Sequence, residues 1–258
     1  MKEENVLFYK MVDWEKRLKR EKDSFKELLR EYDPSVSKLL DLGCGVGHHL
    51  IEFAKWGFHG LGIDFSEESI DEARKRANEA GLNHLLDFSV GDMRELSEFA
   101  GSEKYEFIMC IGNSFALFTL EERTEIINQS IEMLKPGGQI LIQVVNYLKF
   151  DVESEWTINP KIFRNSEGLL HFFVRILEWE SEKKDKVKMY VQSLIQKEDN
   201  LEEFEQIQRI AEFFVVRKND FAFFDNNDNF KINFYGDYNK TPFQEEDSND
   251  LIISIEKS

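Results

Sequence analysis

The sequence has few cysteines, a deficit of basic residues and no long apolar run. Its two cysteines, Cys44 and Cys110, lie in apolar segments, so we expect reduced thiols and not a secreted disulfide framework. Lysine and arginine number 33 against 50 acidic residues, a net charge of −17, which disfavours nucleic acid and anionic membranes as partners. No run approaches the ~20 apolar residues of a membrane helix, and none follows residues 1–5. These features favour a cytoplasmic protein whose partners are small molecules.

A chain of 258 residues with 41% apolar content can bury a full core and lies near the upper size of one domain. We therefore expect one main domain with an insertion, as a monomer or homodimer. The expected organisation is an N-terminal helical cap and α/β core over residues 1–147, an antiparallel β insertion over 148–216 that covers the substrate, and a C-terminal segment over 217–258 that completes the core sheet.

Apolar periodicity predicts the elements of the first part. A helix is expected from about Phe8 to Tyr32, where Asp33-Pro34 ends it. Short apolar runs then alternate with amphipathic stretches, which is typical of β-α units and a parallel sheet. The predicted strands are residues 38–42, 60–64, 85–90, 107–111 and 139–145. The predicted helices are residues 47–55, 67–80 and 121–134, the last ending before a turn at 136–138.

After Tyr147 the pattern becomes β-rich. Residues 169–179, 187–196 and 204–216 are predicted strands, and the polar segment 180–186 suits a hairpin turn. Residues 232–235 and 251–255 are predicted to form a final hairpin.

A glycine-rich turn follows the first predicted strand, in the sequence Asp-Leu-Gly-Cys-Gly-Val-Gly at residues 41–47. Glycines allow the backbone to approach a ligand closely, although a plain strand-to-helix turn is the alternative. The sequence resembles motif I of class I S-adenosylmethionine-dependent methyltransferases. This resemblance implies that the turn packs against the methionine part of the cofactor, through the following residues: Asp41, Gly43, Cys44, Gly45 and Gly47.

Two acidic residues follow the next two predicted strands. Asp64 lies about twenty residues past the glycine turn, where an acid can accept both hydrogen bonds of a ribose diol. The resemblance implies that Asp92 accepts from the adenine amino group and that Phe65 and Met93 flank the base. Each acid alone would more often be a solvated loop residue, but their joint placement predicts a cofactor site.

A nicotinamide enzyme is the competing interpretation of these features. Its fingerprint requires a third glycine where this chain has His48, and it does not explain Gly91-Asp92. The methyltransferase resemblance implies a Rossmann-like α/β sheet of seven strands in the order 3-2-1-4-5-7-6, with strand 7 antiparallel. We assign no metal, and no catalytic role to His48 or His49.

The segment Cys110-Ile111-Gly112-Asn113-Ser114-Phe115-Ala116 ends the central strand, at the switch point where open α/β sheets bind ligands. Its Gly-Asn-Ser-Phe-Ala part resembles glycine N-methyltransferases and related small-molecule enzymes. The resemblance implies that Cys110 and Ile111 lie at the cofactor and that Asn113 faces the substrate. A turn-forming asparagine is the alternative.

The N-terminal helix resembles the corresponding segment of glycine and sarcosine methyltransferases through Trp14, Arg17 and Glu21. In that segment an arginine reaches the cofactor carboxylate. Arg17 has the matching Trp-x-x-Arg spacing, with Arg20 as the alternative, and both could instead lie on a solvated helix face.

Together these features predict a methyltransferase that uses S-adenosylmethionine to methylate a small molecule, with an amine nitrogen as the expected acceptor, by direct in-line transfer. A nucleic-acid or protein methyltransferase and a non-catalytic S-adenosylmethionine-binding module remain alternatives. Val145 replaces the arginine that anchors the substrate carboxylate in glycine N-methyltransferases, so we expect glycine to be a poor substrate. Arg164 and Arg175 are the candidate substitute cations, and both are expected at the surface.

Overall fold

The structure is a computed structural model that describes residues 12, 14–100, 103–150, 156–164, 168–180, 182–224 and 227–258. The predicted helical residues 8–11 and 13, and residue 181 of the predicted hairpin turn, lie outside the described residues. Two compact units are present. One comprises Trp14–Asn146 and Val216–Ser258, and the other includes Tyr147–Val215.

Eleven strands are assigned in the described residues and are numbered in chain order: β1 Lys38–Leu42, β2 His59–Asp64, β3 Leu86–Val90, β4 Tyr105–Cys110, β5 Leu134–Val145, β6 Trp156–Arg164, β7 Leu170–Trp179, β8 Lys186–Gln196, β9 Phe204–Phe214, β10 Phe230–Tyr235 and β11 Asp250–Lys257. In the first unit, seven of them form one sheet in the order β3-β2-β1-β4-β5-β11-β10. Strand β11 runs antiparallel to both neighbours. The predicted Rossmann-like order 3-2-1-4-5-7-6 is thus confirmed, with β10 and β11 as its sixth and seventh strands.

Five α-helices are assigned in the described residues of the first unit: α1 Trp14–Leu28, α2 His48–Ala54, α3 Glu67–Glu79, α4 Leu96–Ala100 and α5 Leu120–Met133. Local sequence explains where two of them begin. The Ser66 hydroxyl accepts a hydrogen bond from the Ser69 amide at 3.2 Å, and Thr119 forms a capping box with Glu122. These caps fix the chain directly after β2 and before α5. Among the described residues, no helix is long and apolar enough to cross a membrane.

The prediction of a turn at residues 136–138 is wrong, because these residues lie within a strand. Helix α5 does end at Met133, but β5 begins at Leu134 and continues through Pro136, Gly137 and Gly138. The pairing of β5 with β4 shifts register here, and a Cβ at Gly138 would stand 2.9 Å from the Glu106 carbonyl oxygen. The two glycines therefore let the strand pass through an irregular segment without leaving the sheet.

The second unit is a four-stranded antiparallel sheet in the order β6-β7-β8-β9. The first of these strands was not predicted, and its sequence contains Pro160. Proline cannot donate to a strand ladder and is confined to edges and bulges. Strand β6 satisfies both conditions: it is an edge strand, and its pairing with β7 shifts register between Ile158 and Lys161.

Candidate active site

A cavity of about 280 Å³ opens at the carboxyl ends of β1, β2 and β3, close to the roughly 300 Å³ at the lower end of small-ligand pockets. Five predicted site residues line it: Gly43, Asp64, Phe65, Asp92 and Met93. Its other lining residues are Ile63, Gly91, Arg94, Leu117 and Phe118. The remaining predicted residues do not line it: Arg17, Asp41, Cys44, Gly45, Gly47, Cys110, Ile111 and Asn113. Arg94, Leu117 and Phe118 line the cavity but were not predicted from the sequence.

The glycine turn needs glycine for two physical reasons. The φ angles of Gly43, Gly45 and Gly47 are 73°, 55° and 75°, in the left-handed region that other residues enter at a cost. There is also no room for side chains, because a Cβ at Gly43 would lie 2.9 Å from the Ser114 hydroxyl oxygen, and one at Gly47 would lie 2.9 Å from the Phe88 ring. The turn is therefore built to bring bare backbone to the cavity.

Asp64 joins the end of β2 to the glycine turn. Its Oδ2 accepts a hydrogen bond from the Gly45 amide at 2.9 Å, and its Oδ1 accepts one from the Ser66 amide at 3.0 Å. Burial raises its pKa, although both backbone hydrogen bonds oppose the shift. An ionised carboxylate has about four acceptor positions, so these two bonds leave others for a ligand diol.

Asp41 lies buried on β1 beside the two thiols. Burial and the charge of Asp64 raise the pKa of Asp41 to about 8. Burial also raises the pKa of Cys44 and Cys110, with further raising by Asp41 and Asp64. Both cysteines are free, and because a thiolate is the nucleophilic form, neither is prepared for covalent chemistry.

Asp92 lines the same cavity, just beyond the end of β3. Its carboxylate accepts a hydrogen bond from the Arg94 amide at 2.9 Å and forms an ion pair with that guanidinium at 2.6 Å. The Arg94 side-chain hydrogen bond lowers the pKa of Asp92. Arg94 also pairs with Glu122 on α5 at 2.6 Å. Phe65, by contrast, is 70% exposed although it is large and apolar, which suits a ligand-contacting surface.

Asn113 holds the turn after β4 against the end of β5. Its φ of 74° is left-handed, and its Oδ1 accepts a hydrogen bond from the Val145 amide at 2.9 Å. The next residue back, Gly112, donates its amide to Gln143 Oε1 at 2.8 Å. Gln143 Nε2 in turn donates to Asp250 on β11 at 2.8 Å. This geometry gives Asn113 the turn-forming role that was the alternative, and contact with substrate stays a prediction.

On α1, Arg17 and Arg20 occupy different environments. Arg17 is 22% exposed and its Nε donates to Glu21 Oε1 at 3.0 Å, whereas the Arg20 side chain is 77% exposed. Glu21 is buried and lies 3.3 Å from His49 Nε2. Burial opposes ionisation of Glu21, yet the hydrogen bond from His49 and the charge of Arg17 lower its pKa. Arg20 also pairs with Glu21 Oε1, at 3.5 Å, so Arg17 differs from it by its hydrogen bond and its lower exposure.

The stack of Trp14 on His48 connects α1 to the glycine turn. The two ring centroids are 4.1 Å apart at 18°, and the Arg17 guanidinium lies 5.0 Å from the Trp14 centroid. His48 directly follows Gly47, so Arg17 lies beside the first turn of α2. Burial and the nearby Arg76 lower the pKa of His48 to about 3, which keeps it neutral. Within the described residues, no group of three or more His, Cys, Asp or Glu side chains is placed to hold a metal ion.

Comparison with known proteins identifies the class. Residues 39–138 match the family described as "Methyltransferase domain". The chain is 29% identical over 138 residues to a glycine/sarcosine N-methyltransferase of Halorhodospira halochloris, which covers 53% of this chain and 50% of that protein. It is 32% identical over 124 residues to the dTDP-3-amino-3,4,6-trideoxy-alpha-D-glucopyranose N,N-dimethyltransferase of Streptomyces venezuelae, covering 48% of each. The chain thus spans about half the length of these curated relatives.

A solved structure matches over nearly the whole chain. The S-adenosylmethionine-dependent methyltransferase from Clostridium acetobutylicum superposes with a TM-score of 0.74 at 18% identity, covering 96% of this chain and 93% of that one. The fold is therefore that of class I S-adenosylmethionine-dependent methyltransferases. Residues 39–138 are a methyltransferase domain, so the methyltransferase class predicted from the sequence is confirmed for this part of the chain.

Proposed function

We propose that the whole protein transfers a methyl group from S-adenosylmethionine to the nitrogen of a small-molecule amine. The observation that carries this proposal is the cavity where the glycine turn and the acids Asp64 and Asp92 meet. Nitrogen is favoured because both of the curated relatives described above are, by their names, N-methyltransferases. The net charge of −17 further favours a small, uncharged or cationic acceptor over nucleic acid.

The residues present fit this cofactor. We assign the bare glycine turn to its methionine part, the remaining acceptor positions of Asp64 to the ribose diol, and Asp92 to the adenine amino group. Phe65 and Met93 line the same cavity and offer apolar surface for the base. Arg17, held by Glu21, is the candidate partner of the cofactor carboxylate.

When bound, S-adenosylmethionine supplies a methyl carbon that is open to attack in line with its sulfur. The protein's task is then to hold the acceptor close and correctly oriented. The chain needs no nucleophile of its own, which agrees with two neutral thiols in Cys44 and Cys110. An amine acceptor must be neutral to attack, so its proton has to leave to a nearby base or water before transfer.

The test has a binding stage and a transfer stage. Calorimetry with S-adenosylmethionine and S-adenosylhomocysteine should show binding of both. A methyl-transfer assay at equal concentrations should then include glycine, sarcosine, neutral amines, cationic amines and an amino sugar. We expect transfer to an amine, and little to glycine because Val145 occupies the expected arginine position. Absence of cofactor binding by folded protein would overturn the proposal, and transfer only to oxygen acceptors would overturn the choice of nitrogen.

A further inference from the structure

Arg94 lines the cofactor cavity and pairs with two acids from different parts of the chain. It directly follows Met93, just beyond the end of β3. Its Nη2 lies 2.6 Å from Asp92 Oδ2, and its Nη1 lies 2.6 Å from Glu122 Oε1 on α5. One guanidinium therefore ties the segment after β3 to the start of α5.

The contacts with Asp92 form a fork that sets the direction of its carboxylate. The Nε of Arg94 donates to both carboxylate oxygens at 3.1 Å, and the Arg94 amide donates to Oδ1 at 2.9 Å. Together with the Nη2 bond, three donors of one residue engage Asp92. An ionised carboxylate has about four acceptor positions, so the fork holds it in one orientation and leaves a position for a ligand.

Glu122 anchors the other end of the guanidinium to a fixed element. Its Oε2 accepts a hydrogen bond from the Thr119 amide at 2.9 Å, as part of the capping box that begins α5. The two residues before Thr119 are Leu117 and Phe118, which line the cavity. The guanidinium of Arg94 also lies 5.7 Å from the Phe118 ring centroid. Arg94 is thus held on the side away from Asp92 as well.

These ion pairs contribute more to orientation than to the stability of the fold. The Arg94 side chain is 48% exposed, and those of Asp92 and Glu122 are each 33% exposed, so solvent screens both pairs. The terminal torsion of an aspartate is broad, so an untethered Asp92 would turn between several directions. Fixing it before the ligand arrives removes an ordering cost from binding.

The direction of Asp92 matters because of the base that we assign to it. The side-chain hydrogen bond from Arg94 lowers the pKa of Asp92, so near neutral pH its carboxylate accepts hydrogen bonds and cannot donate them. The 6-amino group of adenine is a donor that satisfies such an acceptor. A purine with hydrogen at position 6 has no donor there, so the remaining acceptor position would stay unpaired.

We propose that Arg94 is a positioning residue that makes the cavity selective for a 6-aminopurine by fixing the Asp92 carboxylate. This inference rests on the proposed function, because it takes adenine as the base that meets Asp92. Without the guanidinium, Asp92 can turn towards water. The bond to the 6-amino group then weakens, and a purine without that group is no longer penalised.

The test compares two ligands on the full chain by calorimetry. They are S-adenosylhomocysteine and its analogue with hydrogen in place of the 6-amino group. The parent should bind the first at least about tenfold more tightly, and Arg94→Gln should lose most of this preference. Arg94→Lys, which keeps the charge and loses the fork, should fall between the parent and Arg94→Gln. Glu122→Gln keeps an oxygen for the capping box and loses the ion pair, so it should lose a smaller part.

Arg30→Gln is the matched control. Arg30 also pairs with two acids, Glu27 at 2.7 Å and Glu31 at 2.9 Å, but it does not line the cavity. Its replacement should therefore leave the preference of the parent unchanged. Because both arginines form exposed pairs, their glutamine variants should unfold thermally close to the parent.

A folded Arg94→Gln protein that loses the preference, while Arg30→Gln keeps it, supports the positioning role. A general loosening of the cavity would weaken both ligands alike, since they differ at position 6 of the base. If Arg94→Gln does not fold, Arg94→Lys and Glu122→Gln decide the outcome in the same way. Folded Arg94 variants with the preference of the parent, or a parent without any preference, overturn the inference while binding of S-adenosylhomocysteine leaves the proposed function standing. A folded parent that binds neither ligand overturns both.

Discussion

Replacing Asp64 with asparagine should weaken cofactor binding mainly through the ribose. The two Asp64 oxygens accept backbone hydrogen bonds from Gly45 and Ser66 at 2.9 and 3.0 Å. Asparagine has the same size and keeps one oxygen, but its amide nitrogen cannot accept a hydrogen bond. Either the turn or the ligand therefore loses an acceptor. A lost charge-assisted hydrogen bond of about 1.5–3 kcal/mol predicts binding weaker by about ten- to a hundredfold.

The assay compares two ligands on two proteins. Calorimetry with S-adenosylhomocysteine, and with an analogue that lacks both ribose hydroxyls, should show a strong preference for the natural ligand in the parent. Asp64→Asn should lose most of this preference. Asp92→Asn is the control, because we assign it to the adenine, and it should weaken both ligands alike. If a folded Asp64→Asn protein keeps the preference of the parent, the ribose assignment is wrong.

Three other changes test the site and its support. Arg17→Gln should weaken binding of S-adenosylhomocysteine but not of methylthioadenosine, which lacks the carboxylate, and the exposed Arg20→Gln should change neither. Equal loss of both ligands by Arg17→Gln would contradict the assignment. In urea titrations, Gly47→Ala should lower the free energy of unfolding by about 1–3 kcal/mol more than Gly137→Ala does. Both glycines have φ near 75°, but of the two Gly47 lacks room for a Cβ, so equal losses would refute the crowding argument. Asp41 has a pKa of about 8 in the folded state, above its unfolded value, so the parent should lose up to about 1.4 kcal/mol of stability per unit as pH rises from 5 to 8. Urea unfolding at pH 5 and pH 8 should show this decline in the parent and not in Asp41→Asn. Equal declines in the two proteins would show that Asp41 does not cause it.

Periodicity predicted the core well because each β-α unit is specified locally. Helix α3 lies at Glu67–Glu79 against a predicted 67–80, since Ser66 caps its start. Strand β1 has its predicted bounds, because a continuous apolar run enters the glycine turn. Strand β6 was missed; its Pro160 opposes a strand unless an edge and a register shift accommodate it, and both are tertiary facts.

The candidate site was only partly predictable, because motif spacing does not describe side-chain pairing. The Arg94 pair with Asp92 is local, and an Asp-x-Arg sequence could have suggested it. The second bond of Arg94, to Glu122, depends on where α5 packs and leaves no sequence signal. The hydrogen bond from the Val145 amide to Asn113 likewise depends on how the ends of β4 and β5 align.

The position of β11 between β5 and β10 has a consequence for biosynthesis. Strand β5 pairs with β11 in a register where Val145 is the partner of Asp250. An inner strand of the sheet therefore lacks one neighbour until about a hundred more residues have been synthesised. At translation speeds of 5–20 residues per second, that interval is roughly 5–20 s. Until then, one side of β5 carries unpaired backbone groups next to an apolar run, which is the kind of edge that aggregates. The nascent chain should therefore be a chaperone client over this interval, although the folded sheet buries the same strand.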